Sequence, residues 1–513
     1  MRAWIFGRIL YFCTGTSASA PLWAGIAALV NEQATSMPDG LGYLGFANPA
    51  LYAIGANAPS DFHDVDDYST NNTQATPGTG IAGEPDGGPL LNFTAIPGYD
   101  LATGWGTPNG VQLLYALANS APPVLTQVSV GADSACAITA AGAIKCWGFN
   151  ANDQIGDPSD PAGTTNVSSP AQVAGLTSGA TAVAVSQLGN FACAVVNGAA
   201  WCWGDNALGQ LGDAPGPCFS PSNPVPMSSS PVEVSGLTSG LTAIATGGTF
   251  ACAITAGQNV WCWGGTSSVG FFSDQVDQLG NGSSLDGGPE CPDSATPGTA
   301  IFGPVQVTNL TGASAVAAGI EFACAVVANG NVECWGANDY GELGNGTTTD
   351  SVVPVQVTGL TGVTSLAAGR YAACAVATGN VWCWGLTFGA SPVQITGLPA
   401  GSALTVSVGI WGGCATAGGG AWCWGTEEAD LADGGGTGGL AGPVVPGGSV
   451  SPTAAVQVSG LSGVIAVSIG TDSACAISTN DVASCWGDNS FGELGIGSTG
   501  PASTVPLPVV GFP

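Results

Sequence analysis

The sequence predicts a mainly β protein, a seven-bladed β-propeller over most of its length with a shorter α/β fragment ahead of it. Two recurring elements and their offset carry this. A Cys followed nine or ten positions later by Cys-Trp-Gly occurs seven times, as Cys136/Cys146, Cys193/Cys202, Cys252/Cys262, Cys324/Cys334, Cys374/Cys383, Cys414/Cys423 and Cys475/Cys485. Between the copies runs a Pro-Val-x-Val element, seen as Ala171–Leu176, Pro231–Leu237, Pro304–Leu310, Pro354–Leu360, Pro392–Leu398 and Ala455–Leu461. A weaker seventh copy, Pro506–Phe512, ends the chain, and none stands before the first Cys unit. A fixed repeat of this size marks a propeller or solenoid. The offset predicts a ring closed by pairing the two chain ends, so that the last strand completes the first blade and no sheet edge is left open there.

Composition narrows the function. At 513 residues the chain has room for two or more cores, yet only 7% of it is charged and its net charge is -30. Four basic residues against 34 acidic ones exclude nucleic acid as a partner, since almost nothing neutralises phosphates. The same balance disfavours an anionic membrane surface, and no apolar run reaches the length of a transmembrane helix. The acidic charge keeps molecules apart, and a monomer is expected. Seventeen Cys, fourteen of them in the repeated pairs, point to an oxidising compartment, secreted or at a cell surface. Cys218 and Cys291 fall in long loops and are candidates to bridge them, which leaves Cys13. His63 is the single His and C-x-x-C is absent, so zinc is excluded.

In chain order, the first twenty residues carry two readings. One is a signal peptide, with Arg2, an apolar run interrupted by Arg8, and Ala18-Ser19-Ala20 as cleavage site. The preferred one starts a folded helix at GTSASAPLWAGIAALVNEQ, with Pro21 in its first turn and Leu22, Ile26, Leu29 and Val30 on one side. Further on come FHDV and then PGYDLATGWGTPNG. These three motifs in this order, over roughly Thr14 to Ala118, resemble the C-terminal part of a sedolisin, a serine-carboxyl peptidase. The resemblance implies a truncated subtilisin-like α/β fragment over residues 1–118. It implies Ser17 as nucleophile, and one calcium ion held by Asp64, the Val65 carbonyl, the Ile96 and Gly98 carbonyls and Asp100. The chemistry agrees. A Ser at a helix start is exposed beside backbone N–H groups that stabilise an anion, and carboxylates with loop carbonyls make a calcium shell. Taken alone, Ser17 is a helix cap, Asp64 and Asp100 are loop acids, and His63 is a packed neighbour. The family's Glu and Asp partners of the nucleophile lie upstream of the Ser motif, and this chain shows sixteen residues there. A Ser without its base is a poor nucleophile, so the expectation is an inactive chain from a misplaced start or a broken gene.

Residues 119–127, NSAPPVLTQ, read as a linker, with the propeller over 128–513. Its cleanest unit, Phe322–Thr347, reads as strand, tight turn, strand ending in Cys-Trp-Gly, then a Gly-punctuated loop. Period-two alternation in CAVVANGNVECWG gives each strand two faces for neighbouring blades. Asn329-Gly330 supplies positive φ for the turn, and the Trp after the second Cys fills the wedge between blades. The Cys face one another across the hairpin, each bridge adding about 2–3 kcal/mol; the other reading is buried thiols. The G-x-x-x-x-C-A strand, the C-W-G strand and the loop N-x-x-G-[QE]-L-G resemble the regulator of chromosome condensation repeat in a Cys-paired form. That loop is clearest at Trp203–Asp213, Trp335–Thr347 and Trp486–Ser498 and decays after Trp384 and Trp424. Long insertions at Asp213–Ser230 and Gly264–Gly303 are expected to raise one rim, held by Cys218 and Cys291, as the ligand face for a protein or glycan. Two functions follow. One is the C-terminal part of a secreted sedolisin-like endopeptidase with a binding propeller. The other is an extracellular binding protein with a peptidase remnant. Nucleotide exchange on a small GTPase fits the disulfides and acidity poorly.

Overall fold

Seven antiparallel four-stranded sheets follow one another along the chain, each built from four consecutive strands. The structure, a computed structural model, describes residues 125–159, 166–213, 227–266, 278–282, 300–410, 412–425, 453–479 and 483–511, with the backbone of four short strands ahead of them. Those four form two antiparallel pairs, Arg2–Ile5 with Arg8–Tyr11 and Phe62–His63 with Thr107–Pro108. By its contacts the chain divides into Met1–Pro123 and Val124–Pro513.

Blade 1 shows the plan: Leu125–Val130, Ser134–Thr139, Ile144–Gly148 and Val167–Gln172, in that spatial order. The first strand begins three residues ahead of Val128, because Leu125 is an anchor of the core rather than linker. The second strand of each blade is buried on both faces; in blade 4 all six residues of Phe322–Val327 are covered. This follows from its content, Ala, Cys and Val around a Phe, which lets neighbouring blades approach from both sides.

Second and third strands form the Cys hairpin. All seven pairs are disulfides, with the two Cys directly opposite and their Cα atoms 4.0–4.1 Å apart. The spacing of nine or ten is absorbed in the turn. Spacing nine gives a two-residue turn with both residues at positive φ, as at Asn197-Gly198 (51° and 81°). Spacing ten gives a three-residue turn, Ala328–Gly330, with Asn329 and Gly330 at 64° and 68°.

The Pro-Val-x-Val element is the fourth, outermost strand of the blade whose Cys-Trp-Gly precedes it, as in Ser351–Gln356 against Asn331–Gly336. Proline explains the place. Without an N–H it cannot serve an inner ladder, and Pro231, Pro354, Pro392 and Pro506 all sit on edge strands. The expected closure by exchange of chain ends is therefore incorrect. Ser503–Pro508 pairs with Ala483–Gly487 of blade 7, and blade 1 has its own fourth strand. The sequence reading also missed the first strand of each blade, which lines the axis.

Ring closure rests on side-to-side packing. Leu125, Val128 and Trp147 of blade 1 share a core with Ile477, Leu494 and Val509 of blade 7. Around the axis, serines bond the N–H groups of neighbouring first strands: Val185 N to Ser129 Oγ at 3.0 Å, Val130 N to Ser468 Oγ at 2.9 Å, Ile469 N to Ser407 Oγ at 3.0 Å. Gln187 of blade 2 reaches across the axis, donating to the Val408 carbonyl of blade 6 at 2.6 Å and to the Ile469 carbonyl of blade 7 at 3.5 Å.

Candidate functional site

The loops joining first to second strands and third to fourth strands open on one face. There the repeat carries a clasp between blades. Its parts are an Asn, then four and five residues later a Gln or Glu and an aliphatic residue, then Gly. Asn338 Oδ1 accepts from Leu343 N at 2.9 Å, and the same bond joins Asn150 with Ile155, Asn206 with Leu211 and Asn489 with Leu494. The aliphatic residue is fully buried. The Gln or Glu carbonyl accepts the indole N–H of the next blade: Trp203 on Gln154 (2.9 Å), Trp263 on Gln210 (3.1 Å), Trp335 on Gln278 (3.0 Å), Trp384 on Glu342 (2.8 Å) and Trp147 on Glu493 (2.8 Å). The Gly lies against the same indole. At Gly344, φ is 61° and a Cβ would stand 2.8 Å from Trp384 Cδ1, so only Gly fits. The copy at Gln278-Leu279-Gly280 escaped the sequence reading because it stands inside the Gly264–Gly303 insertion; the string DQLGNG is its signal.

Charge concentrates on this face. Between blades 4 and 5 a notch is lined by Glu321, Asp339, Glu342, Tyr340, Arg370 and Tyr371. The tyrosine rings lie 5.2 Å apart, and the Arg370 guanidinium stands 4.9 Å over the Tyr371 ring. Burial raises the Glu321 carboxyl above its usual range; Asp339 and Asp350 add to this and Arg370 opposes it. Burial pushes Glu342 up to about 7, although its Oε2 accepts from Tyr340 N at 2.9 Å. Between blades 7 and 1, burial likewise pushes Glu493 to about 7, with Asp488 and Asp133 adding to it; Glu493 Oε1 has no hydrogen-bond partner. In blades 1 and 2 the same position is Gln, whose amide finds an oxygen: Gln154 on Asn190 Oδ1 at 3.4 Å, Gln210 on Asp205 Oδ2 at 3.2 Å. An acidic notch walled by aromatic rings has the chemistry to hold an amine or guanidinium.

Ser17, Asp64, Val65, Ile96, Gly98 and Asp100 lie outside the described residues, as do Cys13, Cys218 and Cys291. The backbone does set the FHDV and GTPNG motifs side by side, with His63 opposite Thr107. Both long insertions leave the third strands of blades 2 and 3 on the clasp face; most of their length is outside the described residues. Among the described residues no group of three His, Cys, Asp or Glu is placed to hold a metal, and no helix is long and apolar enough to cross a membrane.

Comparison with known proteins agrees with this geometry. The regulator of chromosome condensation (RCC1) repeat matches at 197–254 and 329–376, and a second form of it at 125–154 and 313–342. Human WBSCR16 superposes with a TM-score of 0.56 at 18% identity, covering 72% of this chain and 94% of that one. Yeast Prp20p, described with its binding to Gsp1p and histones, gives 0.52 at 17% identity, covering 75% and 87%. At these identities the likeness shows the fold. Tripeptidyl-peptidase sed1 of Aspergillus fumigatus is 38% identical over 100 residues, 20% of this chain and 12% of the relative. Human tripeptidyl-peptidase 1 is 37% identical over 106 residues, 21% and 16%. The chain thus matches less than a fifth of the curated relatives' lengths. The chain carries regulator of chromosome condensation repeats on a seven-bladed propeller, and its N-terminal part is similar to the sedolisin tripeptidyl-peptidases.

Proposed function

We propose that this chain is the nucleophile-bearing part of a secreted sedolisin-like endopeptidase, whose propeller binds a protein or glycan. The observation that carries the reading is the 38% identity to a tripeptidyl-peptidase over 100 residues, with the GTSASAP, FHDV and PGYDLATGWGTPNG motifs in order. Ser17 Oγ attacks the peptide carbonyl, and a carboxylate base takes its proton and returns it to the leaving amine. Asp64 and Asp100, with the Val65, Ile96 and Gly98 carbonyls, hold one calcium ion that ties the two loops together. The disulfides fit an extracellular site of action.

The test uses protein purified from its source, its N-terminus and mass determined, assayed on casein at acid pH. Hydrolysis that is lost on Ser17→Ala supports the reading. Hydrolysis unchanged by Ser17→Ala overturns it.

A second reading, a binding protein with a peptidase remnant, draws on the acidic tyrosine notch of blades 4 and 5. It requires capture of a Lys- or Arg-rich peptide, weakened by Glu321→Gln and Asp339→Asn together, with no hydrolysis under any condition above.

A further inference from the structure

The third strands of blades 2, 3, 5 and 6 carry a second Trp two places before the buried one, in the pattern Trp-Cys-Trp: Trp201, Trp261, Trp382 and Trp422. Each is half-buried at the margin of the core that its blade shares with the preceding one. Each stands directly opposite a residue of the fourth strand: Trp201 opposite Glu233, Trp261 opposite Gln306, Trp382 opposite Gln394 and Trp422 opposite Gln457. Those four partners are exposed. Residues paired in this way share one face of the sheet, with Cβ atoms about 5 Å apart. Blades 1, 4 and 7 have Lys145, Glu333 and Ser484 in the place of the Trp.

The indole N–H groups divide the four. Trp422 Nε1 donates within its own hairpin to the Ala417 carbonyl at 3.0 Å. Among the described residues, the N–H groups of Trp201, Trp261 and Trp382 meet no acceptor, and they are open to solvent, unlike the sealed N–H groups of Trp424 and Trp486. Gln306 Nε2 donates to Asn259 Oδ1 at 3.4 Å, which leaves Gln306 Oε1 to accept. Packing against the core accounts for the rings. It does not account for three open donors, each beside an exposed acceptor.

We propose that Trp201, Trp261 and Trp382 mark three copies of a binding site for an uncharged polysaccharide. In each, the indole N–H donates to one sugar hydroxyl, and the next hydroxyl donates to the side-chain oxygen of Glu233, Gln306 or Gln394. The C–H surface of the sugar lies on the exposed part of the indole. Donor and acceptor stand on adjacent strands of one sheet, so their spacing is set before the ligand arrives. A net charge of -30 repels uronate and sulfated chains. A repeated site suits a repeated unit: blades 2 and 3 are neighbours, and a polymer held by both binds more tightly than either site alone allows. The inference rests on reading the propeller as a binding module and names its ligand as a glycan.

The test is native affinity electrophoresis of the full chain through gels that each hold one soluble uncharged polysaccharide: hydroxyethylcellulose, laminarin, galactomannan or dextran. At least one is expected to retard the chain. Trp201→Phe keeps a ring and removes the donor, and is expected to weaken binding roughly fivefold. Trp201→Phe with Trp261→Phe is expected to weaken it by on the order of tenfold to a hundredfold, since both neighbouring sites are lost. Glu233→Ala with Gln306→Ala changes exposed side chains alone and is expected to have a like effect at an unchanged melting temperature. Trp422→Phe, whose N–H is already satisfied, is expected to leave retardation as it was. No retardation in any of the four gels overturns the proposal, as does retardation that both double variants retain or that Trp422→Phe abolishes. Hydrolysis lost on Ser17→Ala is measured separately, so the peptidase reading and this site fall independently.

Discussion

Replacing Glu493 or Glu342 by Gln tests how buried carboxyls act in the clasp. Both carboxyls rise from 4.5 to about 7 on folding, chiefly through burial. A raised acid favours the fold while protonated. Its contribution is therefore fully present below pH 4.5 and is lost as pH climbs through 7. A shift of this size is worth about 3 kcal/mol per group, at 1.36 kcal/mol for each pH unit. In a body the size of Val124–Pro513 that is about 4 °C in melting temperature. Glutamine keeps the acceptor that Phe491 N and Tyr340 N use, as Gln210 Oε1 does for Leu208 N at 2.7 Å. At position 493 its amide also faces Asp488, which stands where Asp205 accepts from Gln210; at position 342 the corresponding residue is Ala337. Glu493→Gln and Glu342→Gln are each expected to raise the melting temperature by about 4 °C at pH 8 and to leave it unchanged at pH 4. The assay is Trp fluorescence on heating, from pH 4 to 8.5. A wild-type profile alone decides nothing, because a chain of charge -30 loses self-repulsion on acidification in any case. Variants that melt like wild type at pH 8, or below it, refute the reasoning.

Three further changes probe the frame. Gly344→Ala puts a Cβ against Trp384 at φ 61° and is expected to cost about 2–4 kcal/mol in urea unfolding, where an exposed turn such as Gly359 tolerates more. Cys193→Ala with Cys202→Ala removes one bridge over nine residues and is expected to cost about 2–3 kcal/mol; an unaltered midpoint, or free thiols at these positions in the wild type, contradicts the disulfide. Gln187→Ala breaks the bonds across the axis to Val408 and Ile469 and is expected to cost about 1 kcal/mol, with faster amide exchange in the loop around residue 187.

Much of the propeller was legible because its markers are local. Cys324 and Cys334 face each other within one hairpin, and the Asn329-Gly330 turn between them is set by backbone preference. Trp335 is marked by size and by a fixed place after its Cys. The first strands were not legible. ATAVAV at Ala180–Val185 holds only small and β-branched residues, and what fixes it is the serine ladder from the preceding blade. The outer strand was seen but set in the wrong blade, because Pro354 marks an edge without saying which edge. The acid pairing at the closing seam was hidden for a further reason: Glu493 and Asp133 come from opposite ends of the propeller.

Ring closure is where these arguments meet. A propeller that exchanges a terminal strand closes with ladder hydrogen bonds that no pH change reaches. This one closes with a clasp alike in kind to four others: Trp147 N–H on the Glu493 carbonyl, Leu494 in the shared core, Gly495 against the indole, and Gly497 N on Ser168 O at 2.8 Å. The difference lies in one side chain. Where the first seam has an amide donating to Asn190 Oδ1, the closing seam sets an unpartnered carboxyl oxygen near Asp133 and Asp488. A proton on Glu493 restores the missing donor, and its loss leaves buried negative charge at the one seam that joins the ends of the ring. The closing seam is accordingly expected, with the Glu342 seam between blades 4 and 5, to loosen before the Gln-bearing seams as pH rises, and amide exchange should open earlier at Trp147 and Leu494 than at Trp203 and Ile155.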